Sequence, residues 1–263
     1  LDIMDKQAII DVLNKFRPEY VFHLAAQSSV SYSWKNPALT IDINIKGAVN
    51  LFDALREVDF SPRVLIIGSG EEYGYIDQKD MPIKEGICPN PGNIYAATKC
   101  EQNMLANIYA KAYGLQLIMT RSFNHIGPGQ IPTFVVSDFC HQVVDIENGK
   151  QDPIINVGNL AAKRDFTDVR DVVRAYTMLV KSGVPGETYN IGTGRAVAIE
   201  DILDIILDKS TVDIKVNVDK TKFRPIDVPI IVPDVSKISD ITGWKPEIDI
   251  AETIEDMLID LRR

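Results

Sequence analysis

Apolar and polar positions run along this chain in two rhythms. Three stretches are apolar almost throughout and rich in β-branched residues: "YVFHLA" at 20–25, "RVLIIGS" at Arg63–Ser69 and "LQLIMTRSF" at 115–123. Runs of that length and composition read as strands buried on both faces. Between them, residues 36–58 and 93–113 repeat with a helical period, the second with Asn93 as its cap and Gly114 as its stop. Strand–helix–strand alternation with continuous apolar strands predicts an α/β fold, a doubly wound parallel sheet with helices on both faces. Further on, the pattern predicts a helix at 132–148, a strand at Ile154–Val157, a helix at 168–181, a strand at 187–193 and a helix at 198–209. Two short helices follow Asp234. Nothing along the chain resembles a repeat, a low-complexity tract or a linker. A second unit is therefore expected to be interleaved with the first.

Composition narrows the function classes. With 263 residues, 45% apolar and 25% charged, the chain has the makeup of an ordinary globular protein with a full core. Its net charge of -9 argues against a nucleic-acid partner, which needs a basic stripe. An anionic small molecule would have to meet individually placed arginines. No apolar run approaches the roughly 20 residues that span a bilayer, and no leader pattern opens the chain, so a cytoplasmic location without membrane contact is expected. Cys88, Cys100 and Cys140 lack C-x-x-C spacing, and His23, His125 and His141 lack ligand spacing. Reduced thiols and no metal site are the expectation.

The candidate chemistry sits where strands end. In a parallel sheet, ligands collect at the carboxyl ends of the strands. Three polar clusters occupy those ends: "HLAAQSS", "GSGEEYG" and "SFNHIGPGQ". Tyr95 and Lys99, four apart near the start of the 93–113 helix, share a face and reach one cleft. Such a grouping suits ketone reduction, because hydride addition makes an alkoxide that needs a proton and a polarising hydrogen bond. Ser69 offers the polarising hydroxyl, Tyr95 the proton and Lys99 the charge. An ammonium beside the tyrosine is expected to lower its pKa from about 10 by favouring phenolate.

Seven segments in order, "RPEYVFHLAAQSSV", "GSGEEYG", "NIYAATK", "RSFNHIGPGQ", "KRDFTDVRDVVRAY", "YNIGTG" and "RPIDVP", resemble the extended short-chain dehydrogenase/reductases acting on nucleotide sugars. The similarity runs from Leu1 to about Lys245. It implies a Rossmann-like cofactor unit at 1–125, continued by 153–195, and a smaller α/β substrate unit at 126–152 and 196–263. It also implies catalytic Ser69, Tyr95 and Lys99, and a cofactor, NADP(H) or NAD(H), touching Asp2, Ile3, Leu24, Ala25, Ala26, Tyr95, Lys99 and Phe123. For the substrate, a GDP-sugar, it implies Ser69, Glu71, Asn124, Arg164, Arg224 and Asp227. The family's use of matching helices implies a homodimer through 36–58 and 93–113, where Val49, Phe52, Leu55, Leu105, Ile108 and Ala112 put apolar groups on more than one face.

Each of these residues also has a plainer reading. Ser69 is a common turn residue, and the Tyr95–Lys99 spacing also arises as a helix-surface coincidence. Glu71 matches a base of the dehydratases but reads equally as a solvated or non-catalytic glutamate, and Gly70 replaces the serine expected beside it. Asn124 reads alternatively as an Asx turn. Arg164 and Arg224 suit a diphosphate by bidentate geometry, against a surface pair with Asp165 or Asp168 for the first and a solvated loop for the second. Asp227 suits a ribose hydroxyl. His23 reads as a strand residue packed beside the cleft.

The resemblance implies NAD(P)H-dependent reduction of the 4-keto group of a GDP-4-keto-6-deoxy-hexose to GDP-D-rhamnose or a related GDP-deoxysugar. GDP-mannose 4,6-dehydratase or nucleotide-sugar 4-epimerase chemistry is the alternative. The dehydratases carry a basic "SPRRG" stretch and a Lys/Arg pair in the next helix; "GPGQ" and "FVVSDF" here point to the reductase. A third alternative is a non-catalytic fragment that keeps the sugar-nucleotide and dimer surfaces. Family members open with a strand and a G-x-x-G-x-x-G turn whose amides hold the pyrophosphate, and "LDIMD" matches the segment after their third strand. Gly192-x-Gly194 is no substitute for that turn. On this comparison the sheet is N-terminally truncated by roughly fifty-five to sixty residues, with the expectation that the chain alone binds NAD(P)H negligibly, has no reductase activity, leaves an exposed sheet edge and is prone to aggregate.

Overall fold

Along the strand Arg63–Ser69, Val64 and Ile66 enter one core while Leu65 enters another. The next strand, Leu117–Ser122, does the same, with Leu117 and Met119 on one side and Ile118 on the other. A strand with two buried faces must be sandwiched between layers. The computed structural model describes residues 1–222 and 229–263 and shows that sandwich. Four parallel strands lie in the order Tyr20–His23, Arg63–Ser69, Leu117–Ser122, Thr188–Ile191. On one face pack the helices Lys6–Phe16, Gly47–Glu57 and Ile94–Tyr113, through Ile9, Leu13, Phe52, Leu55 and Ala106. On the other pack Val169–Ser182 and Ser236–Thr242, with Tyr176, Leu179 and Trp244 buried against the sheet. The doubly wound α/β class is as expected.

A separate core lies beyond the strand ends. Helices Val135–Glu147, Ile199–Asp208 and Ile250–Leu261 bury Phe139, Val143, Ile202, Ile206, Ile254 and Leu258 together with Ile155 and Val157. Two short pairings join this region to the sheet's carboxyl end. Asn124–Ile126 runs parallel to Phe166–Asp168, and Lys163–Arg164 lies between Val197–Ala198 and Ile230–Ile231. Two-residue strands carry too little pattern to be read from sequence, and they were not anticipated.

Three further departures have local causes. Lys6–Phe16 is a helix capped by Asp5, whose carboxylate accepts the Ala8 amide at 3.0 Å. The expected single helix at 36–58 is three pieces, an α-turn Pro37–Ile41, a π-turn Asp42–Lys46 and the α-helix Gly47–Glu57. The π-turn carries Asn44, wholly buried, which bonds to Gln27 and Thr98. A π-turn at such a position exchanges regular helix geometry for a side chain's placement. Finally, residues 24 and 25 fall outside the first strand, which stops at His23. That strand is a sheet edge, with Leu24 64% exposed just beyond it. No helix among the described residues is long and apolar enough to cross a membrane.

Phe52 has no exposed surface and stacks at 5.3 Å on Tyr109, so it joins two helices over the sheet. Phe52→Ala is expected to destabilise the fold by about 3–5 kcal/mol, read as a lower urea midpoint with unchanged slope. A loss below about 1 kcal/mol would mean that this helix layer collapses to fill the void.

Candidate active site

Ser69 ends its strand and caps the short turn Gly70–Tyr73. Its hydroxyl accepts the Glu71 amide at 3.2 Å, while its own amide donates to Glu72 Oε1 at 2.9 Å. Glu72 is wholly buried. Its other oxygen accepts Arg121 Nε at 2.8 Å and Asn103 Nδ2 at 3.2 Å. The Arg121 guanidinium lies 4.6 Å over the Tyr73 ring, and the Tyr73 hydroxyl donates to Asn190 at 2.7 Å. Burial pushes the Glu72 carboxyl up, and Arg121 opposes that push. Gly68 makes the close approach feasible, since a Cβ there would overlap the Thr120 carbonyl and the Glu72 carboxylate. At Gly70 a Cβ would stand 3.1 Å from the Phe123 ring, a tight contact that a serine could make only if the buried ring gave by a few tenths of an ångström.

The helix Ile94–Tyr113 is fixed at its start by three partners. Asn93 accepts the Ala96 amide at 2.8 Å and also donates to Glu71 Oε2 at 3.0 Å. Ser33 accepts the Tyr95 amide at 3.3 Å, and Asn44 donates to Thr98 at 2.9 Å. Two orphan amides of the first turn are thereby satisfied by side chains from different elements. One turn on, the Lys99 ammonium is buried and donates to the Ile67 carbonyl at 2.7 Å and to Gln102 Oε1 at 3.0 Å.

Electrostatics at the cluster differ from the expectation in one respect. Tyr95 is half-buried, and its hydroxyl is pushed up to about 12, first by burial, with a hydrogen bond to Ser69 opposing and the Glu72 and Glu71 charges adding. The expected lowering by Lys99 is not among the causes, and the ammonium bonds instead to Ile67 and Gln102. Burial also pushes Lys99 down to about 8 against the pull of Glu72. His23 falls to about 4, through burial first and the Lys99 charge second. It is neutral near pH 7.

The structure thus gathers Ser69, Glu71, Tyr95, Lys99 and, across Gly70, Phe123. Leu24 and Ala25 are exposed, and Ala26 half-buried, on the loop after the first strand. Asp2 is exposed and accepts the Met4 amide at 2.9 Å, while Ile3 packs its side chain towards Gly47. Asn124 is exposed at the start of its short strand. Arg164, half-buried, donates to the Lys163 carbonyl at 2.9 Å. The acids weighed as its partners are held elsewhere: Asp165 takes the Thr193 amide at 2.8 Å and hydroxyl at 2.9 Å, and Asp168 takes Arg170 at 2.7 Å. Arg224 and Asp227 lie outside the described residues. Glu72, Asn93 and Gln102 were not anticipated as parts of the site. For Glu72 a signal existed, since Ser69-x-x-Glu72 is the capping-box spacing.

Among known families, the one described as GDP-mannose 4,6 dehydratase matches residues 1–257. The chain belongs to the GDP-mannose 4,6-dehydratase family. GDP-6-deoxy-D-mannose reductase of Pseudomonas aeruginosa is 33% identical over 98% of this chain and 85% of its own length. GDP-mannose 4,6 dehydratase 1 of Arabidopsis thaliana is 29% identical over 98% of this chain and 72% of its own. A solved structure of RMD from Pseudomonas aeruginosa complexed with NADPH superposes with a TM-score of 0.94 at 32% identity, covering 99% of this chain and 86% of that one. The Rossmann-like extended short-chain fold expected from the motifs is therefore the fold of this dehydratase-family chain.

Its Glu72–Arg121 pair is a buried ion pair with side chains 0% and 8% exposed. Removing one member strands a charge, which typically costs about 3–5 kcal/mol, whereas replacing both is far milder. Arg121→Met is expected to lose stability on that scale in urea, with Glu72→Met/Arg121→Met recovering a part of it. Equal losses in the single and double variants would show that the carboxylate's other bonds suffice without the arginine.

Proposed function

We propose that this chain supplies the catalytic and sugar-nucleotide residues of an enzyme that reduces the 4-keto group of a GDP-4-keto-6-deoxy-hexose to GDP-D-rhamnose or a related GDP-deoxysugar, using NADPH or NADH. The observation that carries this reading is the placement of Ser69 at the carboxyl end of its strand beside the first turn of the helix that bears Tyr95 and Lys99, with Lys99 bonded to the Ile67 carbonyl of that same strand. A phenol held at about 12 keeps its proton throughout the neutral range, and an alkoxide is a much stronger base than a phenolate. Proton donation, the direction that reduction requires, is downhill.

The residues present fit a nicotinamide coenzyme. Lys99 commits two of the three ammonium N–H bonds to the protein, which leaves a buried donor suited to a ribose hydroxyl. Leu24, Ala25 and Ala26 supply an uncharged wall at the adjoining strand end. When bound, the coenzyme supplies the hydride. Ser69 then polarises the carbonyl oxygen, Tyr95 gives its proton to that oxygen, and Phe123 shields the site with its buried ring. Asn124, Arg164, Arg224 and Asp227 are assigned to the sugar, diphosphate and ribose. Free thiols at Cys88, Cys100 and Cys140 support a cytoplasmic site of action. Exposed Met104 and Ile108 on the Ile94–Tyr113 helix support a homodimer through that surface, whereas Phe52 and Leu55 are core residues.

A dehydratase is the second reading, favoured by the family match and by Glu71. Its carboxylate, however, is held by Asn93 at the helix cap, which supports a positioning role over that of a free base.

Two measurements test the assignment. Tyr95→Phe is expected to lower turnover of the 4-keto sugar by about a hundredfold or more while calorimetry shows unchanged sugar-nucleotide affinity. Wild-type turnover would remove Tyr95 as the donor. Glu71→Gln is expected to spare reduction, and the unaltered protein to leave GDP-mannose unconverted. Robust formation of a 4-keto-6-deoxy product from GDP-mannose would overturn the reductase in favour of the dehydratase.

A further inference from the structure

Behind Lys99 lies a polar side chain for which packing offers no reason. Gln102 has no exposed surface, yet only its oxygen is used, accepting the Lys99 ammonium at 3.0 Å. Its Nε2 is buried with no hydrogen-bond partner among the described residues. A buried amide with an unsatisfied donor carries a desolvation cost that a methionine or leucine of similar volume would avoid. The retained oxygen is what the position gains from glutamine. Three residues separate Gln102 from Lys99 on the helix, so the two share a face.

The rest of the surroundings leave the ammonium short of partners. Ile67 contributes one carbonyl, at 2.7 Å. Glu72 favours the charged form, but its oxygens bond to Ser69, Asn103 and Arg121. His23, 4% exposed, is neutral, and its Nε2 also lacks a partner among the described residues. Tyr95 is protonated. Burial works against the charge throughout.

We propose that Gln102 is the positioning residue of Lys99: together with the Ile67 carbonyl it holds two ammonium N–H bonds on the inner side. A tetrahedral ammonium held at two corners must direct the third away from them, towards the cleft. The same acceptor favours the charged amine against burial, so Gln102 sets both the direction and the protonation of the lysine. This rests on the role given to Lys99 above.

The test follows the lysine itself in the coenzyme-free protein. Isotope-labelled lysine NMR reads each amine's titration, and Lys99→Met identifies the Lys99 signal by its disappearance. Gln102→Met removes an acceptor from the charged form, so Lys99 should lose its proton at a pH lower by on the order of one unit. Gln102→Glu adds a facing carboxylate and should move the titration up by a similar amount. Should Gln102→Met fail to fold, Gln102→Asn withdraws the oxygen by one methylene and carries the same downward expectation. In turnover assays, Gln102→Met should lower kcat several-fold, with its alkaline limb at lower pH and KM for the sugar nucleotide unchanged. A Lys99 titration unmoved in all three variants would overturn the proposal for Gln102, whatever the activity. Full activity in Lys99→Met would instead remove the role of Lys99, and the two failures are distinct.

Discussion

A carboxylate that has lost its water must be surrounded by donors, and at Glu72 those donors come from the elements that make the site. The strand Arg63–Ser69 gives an amide, the neighbouring strand gives Arg121, and the helix bearing Tyr95 and Lys99 gives Asn103. Each bond is modest in isolation, and a buried ion pair is a weak source of net stability. Its effect is geometric. A helix that slid along the sheet would strand Asn103, and a strand that slipped register would strand Arg121. Either shift leaves a buried charge short of partners, so the relative placement of Ser69, Tyr95 and Lys99 is tied to the satisfaction of one side chain. Glycine at 68 belongs to the same constraint, because any side chain there would occupy the carboxylate's own space.

The large features of this fold were legible because they rest on repetition. Val64, Leu65 and Ile66 had to face alternate sides of a sheet, and two buried faces required two helical layers. Asn93 and Gly114 bracket the long helix as read, one by its side-chain bond and the other by a left-handed φ of 69°. What escaped was whatever depends on a single contact. Glu71 and Glu72 are chemically identical neighbours, and the sequence pointed to the exposed side of the pair. Only the backbone turn decides that one meets Asn93 at the cleft and the other meets Arg121 inside. The π-turn at Asp42–Lys46 escaped likewise, since Asn44 is needed by Gln27 and Thr98, which no periodicity records.

Of the proposed site, the motifs located Ser69, Tyr95 and Lys99 but misjudged how they influence one another. Spacing alone places an ammonium one turn below a phenol and suggests direct electrostatic help. In the folded chain the ammonium turns inward to Ile67 and Gln102, and the phenol answers to burial and to Ser69. The distinction matters for chemistry because occupancy and acid strength move in opposite senses as a pKa shifts. A phenol lowered by a cation yields its proton more readily and is more often ionised, whereas one raised by burial stays protonated across the neutral range but is the weaker acid.

The same reasoning bears on how one scaffold serves several reactions on nucleotide sugars. In this chain a strand end fixes Ser69, and the long helix fixes Tyr95 and Lys99. The turn Gly70–Tyr73 carries the outward carboxylate, which among the described residues accepts a side-chain hydrogen bond from the Asn93 cap. A base for water elimination needs a carboxylate with open lone pairs facing the sugar; here the cap amide orients Glu71 through one oxygen, and the Phe123 ring lies against Gly70 beside it. In this chain two contacts therefore shape the ground beside Ser69: the cap bond that orients Glu71, and the Phe123 ring that leaves little room for a side chain at residue 70.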